Sequence, residues 1–158
     1  WMAVAKARMM GINFLFSVLV LVWAADIFAY FSGRAFGGRF FTRKLAPSIS
    51  PGKTWEGVCG GMLGVLLCAF IWRSLDGFGP ADQASLYSRM GAISPAFMVL
   101  GVVFLATMSV VGDLVESLFK RSAGVKDSSG LLPGHGGVLD RVDALLPILP
   151  LAMMLSTL

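Results

Sequence analysis

AISPAFMVLGVVFLATMSVVG, residues 92–112, runs for 21 positions without a charged side chain. About 20 predominantly apolar residues carry an α-helix across the hydrocarbon core of a bilayer, so this stretch fixes the solvent in which the chain folds. Composition points the same way. Of 158 residues 56% are hydrophobic and only 14% charged, with a mean hydropathy of +0.78, whereas a soluble domain carries about 25% charged residues. Working outward, Met9–Ala25, Gly57–Trp72 and Ala144–Leu158 are also uncharged, and the first extends past Asp26 to Phe31. Backbone polar groups in lipid must be satisfied within the spanning segment or by a closed barrel. The expectation is an all-α integral membrane protein, a bundle of about four transmembrane helices forming one domain over residues 1–158. Trp1 in place of an initiator Met, and no signal-peptide pattern before the first span, suggest the C-terminal portion of a longer multi-span protein.

Charge is distributed unevenly between the spans. Arg34, Arg39, Arg43, Lys44 and Lys53 share a polar segment that contains no acid, whereas Arg73 and Arg89 are balanced by Asp76 and Asp82 in the next. Lys/Arg-rich loops stay cytoplasmic, so the first and third polar segments are expected on the cytoplasmic side and the second outside. Lys6 and Arg8 run against that rule. Ser50-Pro51 has the chemistry of a helix start, with Ser at the N-cap and Pro at the first helical position, so the second helix is expected from there to about Trp72. Its Gly57, Gly60, Gly61 and Gly64 recur at helical spacing and permit close packing in lipid. The third helix is expected from Pro95 through Gly112 and on to Lys120, a loop over Ser122–Gly137, and the last helix from near Val138. No internal repeat is visible.

Acids at the ends of these spans carry the chemistry. Asp113 and Glu116 are three apart and Lys120 lies four beyond, so all three share one helical face. Asp140 and Asp143 repeat the spacing on the next helix. Two acidic pairs joined by a loop can converge on a hard divalent cation, and Mg²⁺ usually bridges one or two carboxylates to substrate phosphates. Lys120, Arg121, Lys126 and Arg141 would repel a cation but suit a phosphate. Carboxylates mixed with basic side chains describe a phosphoryl- or nucleotidyl-transfer site; a solvated loop laced with salt bridges has the same composition, and spacing alone leaves both open.

Other motifs fail. Gly52-Lys53-Thr54 resembles the end of a phosphate-binding P-loop, but the pattern needs Gly where Pro47 stands, and a preceding strand. His135 is the sole histidine, which rules out a histidine metal cluster within the chain. Cys59 and Cys68 have neither CxxC nor zinc spacing and read as small apolar residues in a helix.

Three motifs together resemble a known family. Ser117-Leu-Phe-Lys120-Arg121, then Lys126-Asp127, then Leu132-Pro133-Gly134-His135-Gly136-Gly137-Val138-Leu139-Asp140-Arg141-Val142-Asp143 is similar to the signature of the phosphatidate cytidylyltransferases. Ser50-Pro51-Gly52-Lys53-Thr54-Trp55-Glu56-Gly57 and DIFAYFSGRAFG, Asp26–Gly37, resemble two further motifs of that family. The resemblance implies transfer of CMP from CTP to phosphatidate, giving CDP-diacylglycerol and pyrophosphate, with Mg²⁺ as cofactor. It implies a polar active site on the cytoplasmic side of a bacterial inner membrane. Asp113, Asp140, Lys120 and Asp143 form the expected catalytic set. One or two metal ions are expected on Asp113 and Asp140, with Glu116 and Asp143 as further ligands. Ser50, Lys53, Thr54, Arg121, Lys126, His135 and Arg141 are expected to hold substrate; Asp26 and Asp127 have no assigned role. The expected partners are CTP, phosphatidate and the bilayer, with a second copy of the chain as a candidate and no nucleic acid. Two alternatives stand beside this reading: a CTP-dependent nucleotidyl- or phosphotransferase acting on an isoprenoid lipid, and an ion-coupled transporter. A transporter needs charges near the midplane and often internal repeats; here the acids gather at one end and no repeat is visible.

Overall fold

The computed structural model describes residues 2–41, 43–77, 84–125, 128–129 and 142–157. Among them lie six helices and no strand: α1 Met2–Met9, α2 Ile12–Phe36, α3 Trp55–Asp76, α4 Leu86–Ile93, α5 Pro95–Ser122 and α6 Leu145–Leu155. The all-α membrane architecture expected from composition is the one observed. Three helices, α2, α3 and α5, are long and apolar enough to cross a membrane. The fourth expected span is represented by α6, whose 11 residues fall short of the roughly 20 a crossing needs. The stretch from Val138 to Arg141, where that helix was expected to begin, lies outside the described residues.

Several boundaries differ from the sequence reading. The first span does not start at Met9: Gly11, at φ +132°, breaks the chain between α1 and α2, a backbone angle glycine adopts without steric cost. At the other end α2 runs past Phe31 to Phe36, so Asp26 sits well inside a helix and Arg34 belongs to its last turn. Nor does Ser50-Pro51 begin α3. The Lys53 amide donates to the Ser50 carbonyl at 3.2 Å and the Ser50 amide to Ala46 at 2.8 Å, so the pair forms a tight turn ahead of the helix. The N-cap is Thr54, whose hydroxyl accepts from the Gly57 amide at 3.1 Å. An extended Thr54 satisfies one of the orphan helix donors; Ser50 cannot, because its backbone is already closed in the turn.

The segment between α3 and α5, read as an outer loop, contains α4. Leu86, Tyr87 and Met90 are fully buried, and polar side chains tie the segment to the α2–α3 pair. Asp76 accepts from Asn13 Nδ2 at 2.8 Å and from Ser88 Oγ at 2.6 Å. Trp72 Nε1 donates to Asn13 Oδ1 at 3.0 Å, and Tyr87 Oη to the Ser17 carbonyl at 3.0 Å. Ser94 caps α5, accepting from the Phe97 amide at 2.9 Å, with Pro95 following it, and α5 continues past Lys120 as expected.

Packing is closest between α2 and α3, as the glycine spacing predicted. A Cβ at Gly57 would stand 2.9 Å from the Ala29 carbonyl oxygen, and one at Gly61 would stand 2.9 Å from that of Ala25. Backbone therefore meets backbone, the contact small residues permit in lipid. Phe14, Val18 and Leu21 of α2 join Val65 and Ala69 of α3, Val102 and Leu105 of α5, and Ile148 and Ala152 of α6 in the core. Leu63, Leu67 and Phe70 on α3, and Leu100 and Phe104 on α5, face outward. With Phe16, Trp23 and Ile27 exposed on α2, all three long helices have the apolar outward faces that lipid demands.

Candidate active site

Asp113 lies on α5 and Lys53 in the turn before α3, sixty positions apart in the chain, yet their side chains form an ion pair. The two polar segments flanking the α3–α5 hairpin thus meet at one end of the bundle. A second tie joins them there: Arg121 Nε, near the end of α5, donates to the Ile49 carbonyl at 3.4 Å. One helical turn beyond Asp113, Glu116 is buried and pairs with Lys120 at 2.6 Å. The helical spacing that put Asp113, Glu116 and Lys120 on one face is realised.

Asp143 reaches the same place from the turn ahead of α6. Gly112 makes the approach possible, because a Cβ there would stand 2.9 Å from Pro147 Cγ and 3.4 Å from the Asp143 carbonyl oxygen. Carboxylate oxygens of Asp113, Glu116 and Asp143 lie within 4.8 Å of one another. Burial pushes the Asp143 carboxyl up from the ordinary range, and neighbouring Asp113 adds to the shift; the Ala144 amide, donating at 2.7 Å, and the ammonium groups of Lys120 and Lys53 pull the other way. Three converging carboxylates form a donor set that suits a hard divalent cation.

A cavity of about 460 Å³ opens beside the Lys53–Asp113 pair. Asp26, Tyr30 and Arg34 line it from α2, Gly52, Lys53 and Thr54 from the turn, and Ala106, Val110 and Asp113 from α5. Asp26 is therefore a site residue. So is Arg34, which the sequence reading left among the loop cations; its guanidinium donates to Tyr30 Oη at 2.9 Å. Asp26, Tyr30 and Arg34 recur every four positions, so one face of α2 was readable as polar from spacing alone. The remainder of the lining (Ala25, Ala29, Val58 and Met62 among it) is apolar, so the cavity combines charged side chains with oily walls.

Of the residues expected to hold substrate, Lys53 and Thr54 line the cavity. The Thr54 hydroxyl already accepts from the Gly57 amide, while Ser50 contributes its backbone to the turn. Arg121 is exposed and is not among the lining residues. Asp140, Lys126, Asp127, His135 and Arg141 lie outside the described residues, so of the second acidic pair the structure places Asp143. The sequence reading also passed over Glu56. It is 7% exposed, and its Oε1 accepts from the amides of Gly38 at 3.0 Å, Phe40 at 3.2 Å and Phe41 at 3.0 Å. An acid directly behind a helix N-cap was the available signal.

Comparison with known proteins accords with this geometry. The sequence profile described as the cytidylyltransferase family matches residues 1–158. The phosphatidate cytidylyltransferase of Haemophilus influenzae is 50% identical over 140 residues, 89% of this chain and 44% of the relative. That of Pseudomonas aeruginosa is 49% identical over 134 residues, 85% of this chain and 44% of the relative. The more distant enzyme of Bacillus subtilis is 38% identical over 148 residues, 94% of this chain and 49% of the relative. The chain spans about half the length of the curated relatives it matches. With its whole length inside the profile and its polar motifs gathered at one end of an apolar helical bundle, the chain belongs to the cytidylyltransferase family.

Proposed function

We propose that this chain carries the catalytic site of a CTP:phosphatidate cytidylyltransferase, moving CMP from CTP onto phosphatidate. The observation that carries the reading is the meeting of Lys53 with Asp113 beside two further carboxylates, at the mouth of a cavity with apolar walls. Relatives named phosphatidate cytidylyltransferase support this substrate pair over an isoprenoid lipid and over transport. The basic segment around the site supports a cytoplasmic orientation by the positive-inside rule, in the inner membrane of a bacterium.

In the reaction a phosphate oxygen of phosphatidate bonds to the α-phosphorus of CTP as the bond to the β-phosphate bridging oxygen breaks. CDP-diacylglycerol forms and pyrophosphate leaves with the electron pair. The nucleophile is already ionised, so no strong base is required; the work is bringing two polyanions together and holding them in line. Lys53 is placed to exchange its carboxylate partner for a substrate phosphate, with Lys120, Arg121 and Arg34 adding positive charge nearby. The apolar walls receive the first part of the acyl chains while the charged side chains hold the headgroup. Asp113, Glu116 and Asp143 fit Mg²⁺, with Asp140 as a further expected ligand. When bound, the ion neutralises phosphate charge that the lysines and arginines leave uncompensated.

The test is radiolabelled CTP with phosphatidate and Mg²⁺ on the full-length protein in detergent or liposomes. Labelled CDP-diacylglycerol with stoichiometric pyrophosphate is expected, and turnover should stop in EDTA. Release of CDP with a phosphorylated lipid would instead identify a kinase, and sustained turnover in EDTA would remove the metal from the reading.

A further inference from the structure

Glu56 is neither a lining residue of the cavity nor a member of the carboxylate cluster, yet it is a nearly buried acid with no cationic partner among the described residues. A buried carboxylate is tolerated only where hydrogen bonds replace its hydration. Here one oxygen takes three backbone amides, from Gly38, Phe40 and Phe41, in a stretch without regular secondary structure beyond a turn. Gly38, at φ +80°, allows the backbone to curl so that the Gly38, Phe40 and Phe41 amides converge on one oxygen while the Arg39 amide turns back to the Phe36 carbonyl, a variant of the anion-binding nest. The anion is this chain's own side chain.

The position of that clamp gives it a function. Glu56 lies in the first turn of α3, three residues after Lys53. From Phe41 the chain leaves the clamp, turns through Ala46–Ser50 and closes on itself where the Leu45 amide donates to the Lys53 carbonyl at 3.1 Å. Both ends of the 41–53 segment are therefore anchored at the start of α3, one by Glu56 and one by covalent continuity. We infer that Glu56 is a positioning residue: by gathering the Gly38–Phe41 backbone it fixes the loop that holds Lys53 against Asp113. The Phe41 and Trp55 rings, 6.4 Å apart, form a weaker second contact, so losing the carboxylate loosens the loop without freeing it entirely.

The inference rests on the reading of Lys53 as a phosphate-holding group, and two measurements separate them. The first is native tryptic cleavage of the detergent-solubilised full-length protein after Arg39, Arg43 and Lys44, with cleavage after Arg8 as internal reference. Glu56→Ala should be cut in the loop about tenfold faster or more, the response expected when hydrogen bonds to a charged group are lost. Glu56→Gln, which keeps an acceptor without the charge, should fall between, and the reference cut should not change. The second is a double-mutant cycle on CTP-dependent turnover. If Glu56 acts through Lys53, Glu56→Gln should raise KM in an otherwise native chain and cost little more in a Lys53→Ala background. Unchanged loop cleavage, or losses that simply add, would overturn the inference; Glu56→Gln supports both arms should Glu56→Ala fail to fold. If the native protein shows no CTP-dependent turnover, the proposed reaction falls, and the cleavage comparison alone decides the clamp.

Discussion

Lys53 and Asp113 are partly exposed, at 24% and 34%, so neither is locked in the core and either can be changed without collapsing the bundle. Their value lies in the charge they present to a ligand. Under the proposed function, Lys53→Ala takes away the cation proposed to hold phosphate and leaves Asp113 without its partner, while Asp113→Asn takes away a proposed metal ligand and frees the ammonium group. Each change should lower turnover by about 10²–10³-fold, the usual cost of deleting one electrostatic contact to developing charge, while the thermal midpoint moves little. Steady-state rates at matched folded concentration decide this, and a near-native rate in either variant would remove that residue from the chemistry. At this scale the sequence was informative for Asp113, Glu116 and Lys120, because helical spacing alone puts them on one face. It was silent on Glu56: three of its partners are backbone amides 15 to 18 positions upstream, and amides carry no residue identity to read.

Elements bring these residues together through small side chains at crossing points. Gly112 matters most for the site, because it is where α6 comes close enough to α5 to set Asp143 beside Asp113. Gly112→Ala would force a methyl group against Pro147, 2.9 Å away, in a proline ring that cannot swing aside. Overpacking of this kind costs about 1–3 kcal/mol. The larger effect should be on the carboxylate cluster, so half-maximal activity should need more Mg²⁺ than in the native protein. A stability loss with an unchanged Mg²⁺ requirement would mean that Asp143 does not depend on this crossing. The GxxxG-like spacing on α3 was legible in the sequence because its partner surface is regular α2 backbone. The role of Gly112 was not, since the sequence reading placed it in a long apolar run and nothing there indicates that a proline from another helix lies opposite. The misplaced start of α3 has a similar origin: Ser50-Pro51 and Thr54 both have capping chemistry, and only the turn closed by the Ala46 and Ser50 carbonyls decides between them.

At the scale of the whole molecule the two ends of the bundle divide the work. One end gathers the carboxylates, the lysines and the cavity; the other is closed by α4 and the hydrogen bonds around Asp76. From the sequence that second region reads as a loop a bilayer thickness from the chemistry and tolerant of substitution, because short helices flanked by Gly, Pro and Ser lack the long periodic signal that marks a span. Its burial changes the expectation. Asp76 accepts from Asn13, from the Ser85 amide and from Ser88, tying α2, α3 and the start of α4 together, and Tyr87 is fully buried with its hydroxyl on Ser17. Asp76→Ala should therefore destabilise the protein by about 1.5–3 kcal/mol, the worth of hydrogen bonds to a charged group, and Tyr87→Phe by about 1 kcal/mol for a neutral one. Neither should change KM for CTP or phosphatidate, because the site is built at the opposite end by α5, α6 and the turn before α3. Thermal unfolding in detergent paired with KM measurements on the folded fraction separates the two effects. A raised KM for CTP in Asp76→Ala, at temperatures where the variant is fully folded, would mean that the two ends are coupled through the helices and that the division of labour is wrong.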